Sequence, residues 1–284
     1  MWIIDFGNAS SYEQASGYAE VFEYVKTVVK PQRQGRREKR IADNWWRFGR
    51  PRVEMRDAVA GLARFVVTPE AGKHRPFVWM DRVFVPDQQL LVYARDDDYF
   101  FGLVHSRVHE VWARAQGTQV REVESGFRYT PTTCFETFPF PEPSKKQSAG
   151  IAGAARELDE LRSRWLNPPE WTKTEVLEFP GSVDGPWARY VVKPNRQGIG
   201  TVRWPRVVAK DPECAESLKE RTLTSLYNQR PGWLELAHRK LDEAVFAAYG
   251  WDPDLGDEEL LEKLLELNLA RATRPLESRR DDRQ

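Results

Sequence analysis

Cysteine is scarce in this 284-residue chain: Cys134 and Cys214 are its only two, far apart and outside any CxxC pair. That spacing argues against a disulfide framework and against the paired-cysteine zinc patterns. Long apolar runs are missing as well. No stretch approaches the ~18 consecutive apolar residues of a membrane span. Met1 does not lead into a basic segment followed by an apolar one, so secretion is not expected and the cytoplasm is the expected location. Gly-x-Ser-x-Gly, the P-loop and Gly-x-Gly-x-x-Gly are all absent, and no cysteine and histidine form a pairing suited to nucleophilic chemistry. Gly198-Ile199-Gly200 is too isolated to serve as a phosphate-binding loop. Net charge is the last absence, since 43 Lys and Arg face 43 Asp and Glu.

That neutrality conceals an asymmetry. Residues 26–52 carry ten basic residues against Glu38 and Asp43 alone, a local excess of +8. Such a field needs an anionic partner or a well-solvated face. Within it, Asn44-Trp45-Trp46-Arg47-Phe48-Gly49-Arg50-Pro51-Arg52 interleaves rings with guanidinium groups, a mixture that grips phosphates while the rings pack or stack. The alternative for the two tryptophans is that they simply enter the core. Otherwise the composition, 40% apolar and 30% charged, suits a globular protein, and the length suits one large or two moderate domains, of which two are expected.

Along the chain, Trp2-Ile3-Ile4-Asp5-Phe6-Gly7 reads as a short strand. Ser10 and Glu13 have capping-box spacing, and Ala15, Tyr18, Ala19, Phe22 and Val25 follow at helical intervals, predicting a helix from about Ser11 to Val29 that Pro31 stops. Residues 62–68, 77–80, 83–85 and 90–94 are β-rich runs of a compact sheet. Asp98 is expected to cap a helix from Tyr99 to about Gln116 with a buried stripe including Phe100, Leu103, Val104, Val108 and Trp112, closed by Gly117. Residues 127–141 then form a β-branched and aromatic run ending in Phe138-Pro139-Phe140-Pro141, where missing donors end sheet pairing; it reads as the last strand of a domain. Beyond it, 142–150 has linker composition, and Ile151, Leu158, Leu161 and Trp165 mark a long charged helix. Residues 167–215 read as irregular with a hairpin around Ala188–Val192 and Gly200–Arg203. Helices return from Ser217 to about Asn228, from Trp233 to Tyr249, and after Asp257.

Three motifs invite chemistry and have plainer readings. Asn167-Pro168-Pro169-Glu170 approaches the Asn-Pro-Pro-Tyr of amino-methyltransferases, but a carboxylate replaces the ring that stacks a flipped base, and Asn-Pro-Pro commonly ends a helix. His105 and His109 have the i, i+4 spacing of metal ligands, yet Ser106 stands where a zincin has Glu and no third ligand is evident. Asp96-Asp97-Asp98 suggests a divalent-metal site, whereas three acids before a helix cap it and meet its dipole.

Longer motifs carry a resemblance. Trp2–Gly7, Val29–Arg33, Asp96-Asp97-Asp98-Tyr99-Phe100-Phe101-Gly102-Leu103-Val104-His105-Ser106, His109–Trp112 and Arg128–Pro141 resemble the target recognition domain of MmeI-type adenine DNA methyltransferases. Arg221–Pro231 and His238–Trp251 are similar to the helical C-terminal region of the same proteins. The order of β-rich runs and helices reads as α+β, and with the resemblance it gives a mixed small-sheet DNA target recognition domain over 1–141, a linker over 142–150 and a mainly helical domain over 151–284.

In that family a class I methyltransferase domain with the S-adenosylmethionine loop and Asn-Pro-Pro-Tyr precedes the recognition domain. The chain is thus expected to hold no cofactor and no catalytic residue. It is expected to bind double-stranded DNA at a specific sequence for a methyltransferase partner, as a specificity subunit, one product of a split gene or a truncated remnant. Expected phosphate contacts are Lys30, Arg33, Arg36, Arg37, Lys39, Arg40, Arg47, Arg50 and Arg52. Expected base contacts are Arg121, Glu122, Glu124 and Arg128, since Arg reaches guanine O6 and N7 and Glu accepts from cytosine N4. The rival readings are a helical interaction protein of a phage-defence complex and a divergent metal-dependent nuclease using Asp96–Asp98.

Overall fold

The computed structural model describes residues 3–7, 11–35, 37–119, 126–196 and 198–272. The chain forms two compact units, 1–61 and 62–284.

In the first unit, Ile3–Gly7 form no strand: Asp5 Oδ1 accepts the Gly7 N–H at 2.9 Å, and Gly7 takes a φ of +78°, which curls the backbone. Two helices replace the single one expected. Helix α1 (Tyr12–Ser16) is capped by a Ser11–Gln14 box; Ser10, of the expected box, lies outside the described residues. Helix α2 (Ala19–Gln34) begins after a break at Gly17 and contains Pro31. Pro31 therefore does not stop the helix but lies in its last turn, and Arg33 of the same turn donates to the carbonyls of Trp45, at 3.0 Å, and Arg47. Short helices α3 (Lys39–Asp43) and α4 (Val53–Val59) follow. Ala15, Phe22, Val25 and Trp45 form the core, with Phe6, Val29 and Trp46 packed against it.

The second unit opens with a three-stranded antiparallel sheet of β1 (Arg64–Pro69), β3 (Val78–Asp81) and β4 (Leu90–Tyr93), with β1 central. Residues 83–85, expected as a strand, instead form a turn started by Asp81, whose carboxylate and carbonyl accept the N–H groups of Val83 and Phe84. The short β2 (Ala71–Gly72) belongs to a second sheet. The helix expected from Tyr99 to Gln116 is two helices, α5 (Asp98–His105) and α6 (Arg107–Gln116). Ser106 lies between them in extended conformation. Its hydroxyl donates to Leu103 O at 2.7 Å and accepts the His109 N–H at 3.3 Å, so one side chain ends the first helix and caps the second. The cap of α5 is Asp97, not Asp98.

Strands β5 (Thr118–Gln119) and β6 (Phe127–Arg128) complete the second sheet, in the order β2-β6-β5. Only two residues of the 127–141 run are strand. Pro131 has no N–H for pairing, and Pro131–Phe135 wind into a wide π turn. Helix α7 (Lys145–Leu166) starts inside the segment expected as a linker, because Ser144 and Gln147 form a capping box.

Residues 172–209, expected to be largely irregular, form a long antiparallel ribbon of β7 (Thr172–Ser182) and β9 (Ile199–Ala209), with β8 (Val191–Val192) on the far side of β9. The β8–β9 pairing is the hairpin legible in the sequence. Helices α8 (Pro212–Lys219), α9 (Leu223–Gln229), α10 (Gly232–Tyr249) and α11 (Asp257–Ala272) close the fold.

One core runs through this unit, from Val66 and Phe77 through Phe101, Trp112 and Tyr129 to Leu158, Leu241 and Leu264. It therefore continues across the expected boundary at 141. Helix α7 is its axis, packed against α5 and α10. At that crossing a Cβ on Gly102 would lie 2.8 Å from Ile151 Cγ2, 3.0 Å from Ala155 Cβ and 3.1 Å from Leu241 Cδ1. Gly102→Ala is expected to destabilise the protein by about 1–3 kcal/mol through overpacking, read as a lower urea midpoint with an unchanged slope.

Candidate nucleic-acid interface

The basic arm of the first unit is built on aromatic packing. Trp45 is buried against Phe22 at 5.2 Å between ring centroids, and Tyr12 meets Phe22 at 5.1 Å and Trp46 at 5.5 Å, all edge-on or tilted. The tryptophans thus follow the plainer reading of their sequence and pack inward. Two of the cations hold the arm's own backbone: Arg33 at the carbonyls of Trp45 and Arg47, and Arg40 at the carbonyl of Gly49, 2.6 Å away. Lys30 lies 5.3 Å from the Trp45 ring and Arg47 5.5 Å from the Trp46 ring, within cation–π range. Arg37, Lys39, Arg50 and Arg52 are exposed. Arg52, with a φ of +54°, stands in left-handed conformation at the start of α4. Arg36 lies outside the described residues.

The second element is the foot of β6. Arg75 is sandwiched there, 4.4 Å from the Phe127 ring centroid and 4.6 Å from that of Tyr129, and its guanidinium donates to the carbonyls of Pro69 and Phe127, each at 3.3 Å. Burial lowers its pKa. Arg128 is aligned by Glu70, which accepts from its Nε at 2.8 Å and from Nη2. The Arg128 side chain stays 56% exposed, so the pair orients it without enclosing it. Arg121, Glu122 and Glu124 lie outside the described residues. Sequence reasoning missed Arg75 and Glu70, because neither has a local signal; their roles arise from strands far apart in the chain.

The two histidines of α5 and α6 face different partners. His105 Nε2 accepts from the Phe77 N–H at 3.2 Å and from Arg162 Nη1 at 2.8 Å, which leaves Nδ1–H to donate to Phe101 O at 3.1 Å. His109 Nδ1 is 2.9 Å from Val104 O, and its Nε2 is 3.0 Å from the Tyr129 hydroxyl. All four ring nitrogens are engaged within the protein, which removes the pair as metal ligands. No group of three or more potential metal ligands occurs among the described residues. In the acidic triplet, Asp97 caps α5, while Asp98 pairs with Arg64 at 2.7 Å and Arg156 at 3.0 Å. Two of the three carboxylates on which the nuclease reading rests are thus engaged by the fold, Asp97 as a cap and Asp98 between two guanidinium groups. Asn167 ends α7, the role its Asn-Pro-Pro context suggests.

Burial holds three histidines neutral: His105 well below the usual value, and His109 and His238 down to about 4, with Arg162 adding to the effect on His105 and His238. Burial pushes Asp242 the other way, up to about 6.

These features define an α+β module with a cationic arm. The family model described as the MmeI target recognition domain matches residues 1–142, half of the chain, and the chain belongs to that family. DNA methyltransferase A of Bacillus subtilis (strain 168) is 27% identical over 171 residues, which is 60% of this chain and 13% of that protein. Among solved structures, the type IIL restriction-modification enzyme MmeI in complex with DNA matches 94% of this chain with a TM-score of 0.58 and 20% identity, and it shares the fold. The chain spans 28% of that enzyme's length.

The histidine shifts have a definite sign. A histidine whose folded pKa is depressed is more readily protonated when unfolded, so its contribution is complete above about 6.5 and is lost as pH falls toward the folded value. Lowering the pH from 7.5 to 5 is expected to cost on the order of 2 kcal/mol per such histidine. Asp242 partly offsets this, since its raised pKa favours the folded state as pH falls. The melting temperature should therefore drop between pH 7 and 5, and His109→Gln should flatten that drop.

Proposed function

We propose that this chain is the sequence-specific DNA-recognition part of an adenine-N6 DNA methyltransferase or restriction-modification system. In this reading it positions duplex DNA for a methyltransferase partner, which binds S-adenosylmethionine and transfers the methyl group. The observation that carries the proposal is membership of the target recognition family over residues 1–142, with a fold shared along 94% of the chain with an enzyme solved on DNA. The relative named DNA methyltransferase A supports the link to methyl transfer.

The physical division of labour follows from charge and geometry. Phosphate contacts fix register and need cations that are accessible and held in place. Arg37, Lys39, Arg50 and Arg52 are exposed in this way, while Arg33 and Arg40 shape the arm that carries them. Lys30 and Arg47 lie over tryptophan rings, with their positions fixed by those contacts. Base reading is assigned to Arg128, aligned by Glu70, together with Arg121, Glu122 and Glu124. The partner is a separate methyltransferase subunit or the other product of a split gene, and the chain works in the cytoplasm. The chain by itself transfers no methyl group.

The purified chain is expected to bind duplex DNA with an affinity that falls steeply with salt. Charge reversal at Arg37, Lys39 and Arg50 together should make log K against log salt shallower by roughly 3. Binding indifferent to salt, or methyl transfer from radiolabelled S-adenosylmethionine by the chain alone, would overturn the proposal. Arg128→Ala should narrow the preference between cognate and altered sites by about 1–3 kcal/mol while sparing non-specific binding.

A further inference from the structure

A second basic stretch occurs later in the sequence, within the second unit. Residues 185–210 contain Arg189, Lys193, Arg196, Arg203, Arg206 and Lys210 and not one Asp or Glu. The fold engages four of these six. Arg203 and Arg206 pair across the ribbon with Glu178 at 2.8 Å and Glu175 at 3.0 Å. Arg189 pairs with Asp81 near the first sheet of the unit, and Lys210 donates to the Glu170 carbonyl at 2.9 Å. Lys193 and Arg196 remain, both exposed in the β8–β9 turn and without an ion pair or hydrogen-bond partner among the described residues.

That turn is held in shape. Asn195 exchanges bonds with Ile199, N–H to carbonyl at 2.8 Å and Oδ1 to N–H at 3.0 Å, and Gly198 N–H donates to Asn195 O at 3.0 Å. Lys193 has a φ of +50°, a region that costs a non-glycine residue about 1–2 kcal/mol. The tip is also braced at its base: Trp187 packs edge-on against Phe179 at 5.0 Å and Trp204 at 5.4 Å, and Trp204 meets Phe84 at 5.8 Å. The stem spans eleven consecutive residue pairs, about 36 Å at the usual strand rise.

We infer that the β8–β9 turn is a second, sequence-independent contact to the phosphate backbone of duplex DNA, made by Lys193 and Arg196. The inference rests on the DNA-recognition reading above, because that reading supplies the polyanion. An antiparallel ribbon is narrow enough to approach a duplex groove, and two cations fixed at its end fit phosphates flanking it. Contact at the end of a long stem adds affinity without base discrimination.

The test is a salt titration of the full chain on a mixed-sequence 30-base-pair duplex. It compares the wild type with the double variant Lys193→Gly and Arg196→Gln, glycine being the residue best suited to the left-handed position. The slope of log K against log salt is expected to become shallower by about 2, with binding roughly ten- to a hundredfold weaker at 0.1 M salt and the melting temperature unchanged. If the double variant melts earlier, the same slope is read on Arg196→Gln alone, with a change of about 1 expected. A wild type that binds and a variant with the same slope and affinity overturn the inference and leave the DNA-recognition reading standing. A wild type that does not bind the duplex at any salt concentration overturns both.

Discussion

The second unit depends on one buried cation. Arg162, on α7 and 2% exposed, reaches His105 of α5, the Phe77 carbonyl at the entry to β3, the Tyr227 hydroxyl of α9 and, one turn back, Asp159. Through Tyr227 the network continues to His238 of α10. A guanidinium in such a place is costly to desolvate; here both terminal nitrogens meet acceptors, while Nε has no hydrogen-bond partner among the described residues. The acceptors here come from both sides of residue 141, so the sheet region and the helical region share one polar hub as well as one apolar core. Neutral histidine is required for this arrangement, since a protonated His105 would turn its accepting Nε2 into a donor facing Arg162. The ionisation state of the core and its geometry are thus one property.

Much of this was legible in the sequence, and what was not has identifiable reasons. The α+β class, the long helix marked by Ile151 to Trp165 and the helix from Trp233 to Tyr249 follow from apolar spacing, which is local information; the first turns of α7 were hidden under linker composition. The break at Ser106 was hidden because the stripe of α5 continues in phase into α6, while the decisive event is a single hydroxyl serving both helix ends. The β7–β9 ribbon was hidden for a different reason. Pro180, Gly181, Gly200 and Pro205 read as punctuation, yet in the ribbon Pro180 faces Thr201 and Pro205 faces Val176, and pairing across a long intervening loop outweighs local preference.

The candidate interface divides along the same line. The excess charge of residues 26–52 is visible as composition, and so is the inward role open to the tryptophans. Composition could not show which cations shape the arm and which project from it, because Arg33 and Arg40 find backbone carbonyls nine to fourteen residues away. Likewise, three consecutive aspartates look alike in sequence. In three dimensions Asp97 is a helix cap and Asp98 a bridge between β1 and α7 through Arg64 and Arg156. Identical residue types were separated by what the fold placed opposite them.

The ribbon constrains how such a chain can change in length. Its two faces alternate residue by residue, with Leu177, Phe179, Val202 and Trp204 on the covered side and Val176, Glu178, Arg203 and Pro205 on the exposed side. Insertion or loss of a single residue in either long strand would exchange these sets, laying Phe179 and Trp204 open to water and turning a charged pair inward. A single-residue change in the stem must therefore be absorbed by a bulge or it inverts the faces, whereas residues 183–198 at its end lie outside the β7–β9 register. The stem is a fixed ruler, and a change in chain length costs least at its tip.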